Sequence, residues 1–280
     1  MINTILHFLI LSTYKNTCKK GVKDRYKKFI TEIKMNCYGK FAHIYDNLIN
    51  SDIDYSTWAK KIINICEKLN IDRENYLDLA CGTGNMTEKL AFYFKNTWAV
   101  DLSSEMLSEA DIKLRNSGLK VNFICQNIAN FNLNKKFNLI TCCLDSTNYI
   151  LKGSELQSYF KSVFNHLENK GVFLFDINSY YKITNILGNN TYTYDDKDIT
   201  YMWENYLEND IVDMYLTFFI RHEDFYKRFD ENHRERAYTC EYIESTLKNC
   251  GFKIVNKLDN YSDKIVTDTS ERISYVVTKL

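Results

Sequence analysis

A short apolar segment that runs into a glycine turn constrains this chain more than any other feature. Residues 76–87 read Tyr-Leu-Asp-Leu-Ala-Cys-Gly-Thr-Gly-Asn-Met-Thr. An apolar run bounded by glycines is typical of a buried parallel strand. Gly82 and Gly84 allow a ligand to approach the backbone closely and permit φ values closed to other residues. The segment therefore predicts a nucleotide-type pocket at the carboxyl edge of a doubly wound sheet.

Two details indicate which nucleotide this pocket takes. A dinucleotide-binding motif has a third glycine where this chain has Thr87, and it cradles an anionic pyrophosphate. Asp78, at the predicted strand end, would repel that anion and would favour a ligand with an ammonium group. A nicotinamide-dependent reductase is thus disfavoured, although it stays the alternative from another class of enzyme.

The block Asp78-x-Ala80-x-Gly82-x-Gly84 closely resembles the first motif of class I S-adenosylmethionine-dependent methyltransferases. The resemblance covers residues 36–187 and 238–280. It implies S-adenosyl-L-methionine as the cofactor and an α/β, Rossmann-like, doubly wound seven-stranded sheet with six strands parallel and one antiparallel. The implied cofactor contacts in this turn are Asp78, Ala80, Cys81, Gly82, Thr83 and Gly84. A protein that binds the cofactor without catalysis would show the same motifs.

The second predicted strand and the helix after it supply further cofactor contacts. Asp101 ends a strand 17 residues after Gly84, close to the spacing of about 20 residues for an acid that binds ribose hydroxyls. The resemblance implies that Asp101 and Leu102 hold the ribose and that Met106, beyond the helix cap Ser103, lies against the adenine. Ordinary core packing explains Met106 equally well.

The segment after the third predicted strand also resembles an adenine-binding segment of the family. It comprises Gln126, Asn127 and Ile128. Relatives usually carry an aspartate where this chain has Asn127. The amide oxygen of Asn127 can still accept a hydrogen bond from the adenine amino group.

The resemblance places the methyl acceptor at the loop after the fourth predicted strand. There Leu144 is expected to contact the cofactor, and Asp145 and Asn148 the cofactor or the acceptor. Methyl transfer depends mainly on positioning; an amine acceptor only has to be held deprotonated, whereas a hydroxyl needs a base. His233, expected to follow the strands of an insertion, is the second candidate catalytic residue.

An antiparallel β insertion is predicted at residues 188–237, where side chains alternate along three strands near 199–207, 212–220 and 225–229. It divides the predicted cofactor-binding domain into residues 35–187 and 238–280. We expect the insertion to cover the acceptor site; a dimer surface or a self-contained small sheet would use the same aromatic residues. The sequence leaves the oligomeric state open.

The first 34 residues differ from the rest of the chain. They carry eight lysines and arginines against two acids, and their apolar run of about ten residues is too short to span a bilayer. We interpret residues 1–34 as a basic extension foreign to the domain. After it, Tyr38 and Tyr45 have helical spacing, and the segment resembles the amino-terminal helices that cover the cofactor pocket in relatives, which implies Tyr38 near the reacting atoms and Tyr45 on the cofactor. Packing of this helix on the sheet explains either tyrosine equally well.

The composition of the chain excludes several classes of function. Acidic and basic residues balance at 36 each, so no overall field attracts nucleic acid. The nine cysteines show no zinc-ligand spacing, which predicts no metal site and free thiols in the cytoplasm. The absence of proline removes the proline-containing loops of DNA methyltransferases. We therefore predict a cytoplasmic methyltransferase for a small molecule, with N-methylation slightly favoured over O-methylation; an RNA-modifying enzyme, supported only by the basic extension, is the alternative.

Overall fold

A computed structural model of the chain describes residues 53–280. A seven-stranded sheet, sheet A, forms its centre, with strand order β10-β11-β5-β4-β1-β2-β3. All neighbours in it are parallel except those of β11, which runs antiparallel to both β5 and β10. The predicted arrangement of six parallel strands and one antiparallel strand is therefore confirmed. The strands of sheet A are β1 Asn75–Leu79, β2 Asn96–Asp101, β3 Val121–Cys125, β4 Phe137–Cys142, β5 Leu167–Asn178, β10 Phe252–Asp259 and β11 Arg272–Lys279.

Helices cover both faces of sheet A. They are α1 Tyr55–Lys68, α2 Asn85–Ala91, α3 Ser104–Asn116, α4 Gly153–His166 and α5 Cys240–Asn249. Alternation along β1 separates two cores: Leu77 and Leu79 pack with α4 and α5 on one face, whereas Tyr76 packs with α1 and α2 on the other. Because strand side chains alternate between faces, a strand apolar at nearly every position has to lie between two helical layers.

A second sheet, sheet B, follows β5 and a π-helical turn at Lys182–Leu187. Its four antiparallel strands are β6 Thr191–Asp195, β7 Ile199–Glu208, β8 Ile211–His222 and β9 Phe225–Arg236. Two details of the predicted insertion are wrong. The short strand β6 was missed because its side chains are mostly exposed and show no apolar alternation, and β9 extends to Arg236 because polar residues replace apolar ones on its buried face.

Asn148 joins the two sheets. Its amide nitrogen donates to the backbone oxygens of Asn178 at the end of β5 (3.1 Å) and Arg236 at the end of β9 (2.9 Å), and its oxygen accepts from the Asn178 N–H (3.0 Å). The side chain is completely buried. The expectation that Asn148 contacts cofactor or acceptor is therefore wrong, because its hydrogen-bonding groups hold strand ends together.

Asn148→Ala would leave three buried backbone groups without these partners. We expect it to lower the free energy of unfolding by about 3 kcal/mol, because each unsatisfied buried polar group costs about 1–3 kcal/mol and water can repair part of the loss. Urea unfolding followed by circular dichroism measures the change. Asn116→Ala, at an exposed position in α3, is the matched control; equal stability of the two variants would contradict this role for Asn148.

Candidate active site

The turn after β1 leaves room for a ligand on one side and packs tightly on the other. Ala80, Gly82 and Gly84 all have positive φ, at 52°, 55° and 80°. A Cβ on Gly82 would meet no described atom within 4 Å, whereas one on Gly84 would come within 2.7 Å of Leu114 in α3. Gly82 thus borders open space suited to a ligand, and Gly84 allows α3 to pack against the turn.

Asp101, at the end of β2, is tied to this turn. Its Oδ2 accepts the Gly82 N–H at 2.8 Å and its Oδ1 accepts the Ser103 N–H at 2.9 Å. Burial raises the pKa of this carboxyl, and the two backbone hydrogen bonds oppose the rise. Each oxygen keeps a lone pair for a hydroxyl donor, so the carboxylate suits the predicted ribose contact.

The predicted adenine residues differ in accessibility. Leu102 is 68% exposed, whereas Met106 is 2% exposed. Leu102 therefore presents apolar surface to a ligand in this structure, whereas Met106 would have to become exposed before it could contact one. The Asn127 side-chain oxygen accepts the Ala129 N–H at 2.8 Å, and that of Gln126 accepts the Asn132 N–H at 3.0 Å. Ile128 is half-buried beside them. An adenine contact by these residues stays a prediction.

Asp78 lies within β1, beneath the turn, and is 2% exposed. Thr87 Oγ1 donates to its Oδ2 at 2.6 Å, and Thr141 Oγ1 donates to its Oδ1 at 2.7 Å. Since the Thr141 proton is used in this way, Tyr76 donates its hydroxyl to Thr141 at 2.8 Å. Burial raises the Asp78 pKa to about 6 despite these hydroxyl donors. Thr87, the departure from a dinucleotide motif, is therefore the partner of this acid.

The folded chain holds the Asp78 proton more tightly than the unfolded chain, whose pKa is near 3.8. Wild-type stability should therefore fall as the pH rises from about 4 through about 6, because the buried carboxyl has to ionise. Asp78→Asn has no carboxyl to ionise and should keep its stability over this range. Its free energy of unfolding relative to that of wild type should therefore be up to about 3 kcal/mol higher above about pH 6 than at about pH 4. Urea unfolding across this pH range measures the difference; exposed Asp72→Asn is the control, and a pH-independent difference would contradict the prediction.

The loop after β4 is held by the buried carboxylate of Asp176. The Leu144 N–H donates to its Oδ2 at 2.9 Å and the Asp145 N–H to its Oδ1 at 2.8 Å. Arg272, on β11, bonds Asp176 through Nη1 and Asp145 Oδ1 through Nη2, the latter at 2.7 Å. Leu144 and Asp145 thereby take positive φ values of 58° and 50°, and the Asp145 carboxylate has a fixed position.

His233 lies within β9, so its predicted place after the insertion strands is wrong. It is 6% exposed, and its Nδ1 lies 3.2 Å from the Tyr149 hydroxyl. Burial lowers the His233 pKa to about 4, although the nearby charge of Asp145 opposes this. Because the charge of Asp145 acts on His233, two of the three predicted catalytic residues lie in the same region, Asp145 on the loop after β4 and His233 on β9.

Three residues of this region are not among the predicted site residues: Asp176, Arg272 and Glu235. Asp176 lies within the apolar strand β5, and its partner Arg272 is 96 residues away in sequence. Glu235 is 3% exposed on the same face of β9 as His233. The alternation of Glu231, His233 and Glu235 is a usable strand signal, but it is polar, and the apolar alternation that predicts the strand ends at Phe229.

The remaining predicted residues divide into two groups. Cys81 and Thr83 lie in the turn after β1, the former half-buried and the latter buried. Tyr38 and Tyr45 lie outside the described residues, as does the basic segment 1–34. An open cleft of about 510 Å³ between α3 and β3, lined in part by Trp98, contains none of the predicted site residues.

Two kinds of feature are absent from residues 53–280. No group of three or more histidine, cysteine or acidic side chains is arranged to hold a metal ion. No helix in this part of the chain combines the length and the apolar character needed to cross a membrane.

Comparison with known proteins places this geometry among methyltransferases. Residues 77–171 match a family model described as a methyltransferase domain. A crystal structure of an S-adenosylmethionine-dependent methyltransferase from Clostridium acetobutylicum is 58% identical, with a TM-score of 0.83 over 87% of this chain and 99% of that one. The putative methyltransferase YqeM of Bacillus subtilis is 34% identical over 86% of this chain and 97% of its own length.

A more distant relative has a named substrate. The dTDP-3-amino-3,4,6-trideoxy-alpha-D-glucopyranose N,N-dimethyltransferase of Streptomyces venezuelae is 29% identical over 132 residues, which are 47% of this chain and 54% of the relative. The matched part of this relative is half of its length.

Proposed function

The chain belongs to the S-adenosylmethionine-dependent methyltransferases, and we propose that it methylates a nitrogen of a small molecule. Membership in this family makes the chain an enzyme and S-adenosylmethionine its cofactor. The alternatives of a nicotinamide-dependent reductase and of cofactor binding without catalysis are therefore wrong.

The described residues fit this cofactor. When bound, S-adenosylmethionine supplies a methyl group carried on a sulfonium. The open space at Gly82 and the remaining lone pairs of Asp101 suit a ligand with a ribose. The charge of Asp78 attracts an ammonium from beneath the turn, because Coulomb attraction is stronger in a poorly solvated site. Leu102, Gln126, Asn127 and Ile128 would border the adenine.

The convergence of Asp145 and His233 at the end of β4 carries the proposed choice of acceptor. A hydroxyl acceptor would need a base, and a histidine with a pKa of about 4 is a weak one. An amine needs only to be positioned and deprotonated, and the Asp145 carboxylate attracts amines in their cationic form. The amino-sugar N,N-dimethyltransferase relative supports the same choice.

We further propose that the reaction takes place in the cytoplasm. The seven cysteines within residues 53–280 are free thiols, which suits a reducing compartment. We also keep the proposal that Tyr38 and Tyr45 cover the cofactor. Two truncated proteins test it, one beginning at Cys37 and one beginning at Asp54, through their affinities for S-adenosylhomocysteine.

The experiment that tests the function has two stages, both with the full chain. Thermal unfolding should shift upward with S-adenosylmethionine and S-adenosylhomocysteine but not with NADH, because a ligand at a hundredfold excess over its Kd adds about 2.7 kcal/mol. Methyl-labelled S-adenosylmethionine is then supplied with glucosamine, glucose or total RNA. Label in glucosamine supports the proposal; label only in glucose or only in RNA contradicts it, the second in favour of RNA modification.

Asp78 gives cofactor binding a predictable pH dependence. Since the ammonium of S-adenosylhomocysteine attracts the ionised carboxylate, wild-type affinity should be about tenfold lower near pH 5 than near pH 7, on either side of the pKa of about 6. Asp78→Asn should bind more weakly near pH 7 and lose this dependence. Isothermal titration calorimetry at both pH values measures it, and a variant with wild-type pH dependence would disprove the role of Asp78.

A further inference from the structure

The buried face of β9 is unusually rich in ionisable side chains. Phe229, Glu231, His233 and Glu235 alternate along it, and all four are less than one-tenth exposed. The paired positions on β8 are apolar: Val212 faces Glu235, and Met214 faces His233. Burying charged groups costs free energy that an apolar strand would not spend. We therefore expect the ionisable side chains on this face of β9 to have a function besides packing.

Glu235 is a member of this row with one carboxylate oxygen that lacks a hydrogen-bond donor within residues 53–280. Its Oε2 accepts from Asn178 Nδ2 at 2.8 Å, and no hydrogen bond joins Oε1 to any group within residues 53–280. None of the described salt bridges includes Glu235. Lys182 donates instead to Asn178 Oδ1 at 3.0 Å, and Arg272 is committed to Asp145 and Asp176.

The charged neighbours of Glu235 lie on several elements. Asp145 on the loop after β4 repels it, whereas Lys182 on the π-helical turn and Arg272 on β11 attract it; His233, on its own strand, is uncharged near neutral pH because its pKa is lowered to about 4. Burial is the largest influence, and together with Asp145 it raises the Glu235 pKa to about 8. A cation brought to Oε1 would relieve both effects.

We propose that Glu235 binds the amino group of the methyl acceptor and removes its proton. This inference rests on the proposed function and deepens it, because it defines the acceptor class as amines that enter in their cationic form. An N–H proton of the acceptor ammonium passes to Oε1, the N–H electron pair stays on nitrogen as the lone pair, and the carboxylate becomes a carboxylic acid. No other bond changes in this step.

The assignment agrees with the acid–base properties of the neighbouring groups. Proton transfer is most effective when donor and acceptor have similar pKa values near the working pH. Amines in proteins titrate at about 8 for an α-amino group and about 10 for a lysine, so a carboxyl with a pKa of about 8 suits an amine better than His233, whose pKa is about 4. Asp145, held by Arg272, adds negative potential on the same side.

Binding measurements on S-adenosylhomocysteine-loaded full-length protein test the proposal without catalysis. The probes are glucosamine and its neutral counterpart glucose, and the proteins are wild type, Glu235→Gln and Glu204→Gln. Glu204 is exposed on the opposite face of sheet B, so its variant is a matched control. Wild type and Glu204→Gln should bind glucosamine about tenfold more tightly than glucose, and Glu235→Gln should lose this preference.

The pH dependence separates recognition from a purely structural role. Because a cation binds the ionised carboxylate, glucosamine affinity of wild type should rise from about pH 6 to about pH 8, and Glu235→Gln should show no such rise. Unchanged S-adenosylhomocysteine binding verifies that the variant is folded. A retained preference in Glu235→Gln, or a wild type without a preference for glucosamine, overturns the role of Glu235.

The same data distinguish this failure from failure of the proposed function. If the protein binds S-adenosylhomocysteine and methylates glucosamine while Glu235→Gln keeps its preference and pH dependence, only the role of Glu235 is lost. If methyl label appears only in glucose or RNA, the proposed amine acceptor is wrong and the role of Glu235 is lost with it.

Discussion

The buried carboxylate of Asp176 organises the loop after β4, which is the proposed acceptor side of this enzyme. Four donors reach it: the Leu144 and Asp145 N–H groups, the Tyr261 hydroxyl at 2.8 Å and the Arg272 guanidinium. A buried charge is tolerated only when it is paired and hydrogen-bonded in this way. The ring of Tyr261 in turn stacks on Trp58 of α1, with centroids 4.4 Å apart. These contacts hold the loop after β4, and Asp145 with it, beside the carboxyl edge of sheet A.

Sheet B depends on that loop for its position. Asn148 belongs to the same short segment and connects the ends of β5 and β9 through three hydrogen bonds. β9 consequently brings His233 and Glu235 toward Asp145, although about ninety residues separate them in sequence. The proposed acceptor side is thus formed by residues from both sheets that one loop connects, and a change in that loop would move both sets of side chains.

Asp78 and Glu235 illustrate one physical effect in two places. Burial raises the pKa of both carboxyls, to about 6 and about 8 respectively. Asp78 is lower because two threonine hydroxyls donate to it, whereas Glu235 has one amide donor and a repelling neighbour in Asp145. Each carboxyl costs stability in the folded chain, and each would regain it when a cationic ligand group arrives. Such a cost is common where a site is prepared for charge.

The sequence by itself determined the turn after β1 and the place of Asp101, because these follow from local apolar runs, glycine positions and spacing, and the resemblance carried by those residues implied the seven-stranded sheet. It also indicated the insertion, although not β6 or the full length of β9, whose polar inner face hides the alternation of a strand. Only the tertiary structure decided that Asn148 joins two sheets, that Arg272 and Asp176 hold Asp145, and that His233 and Glu235 lie near Asp145. These contacts join residues distant in the chain, and charge pairing and burial between them leave no local pattern to read.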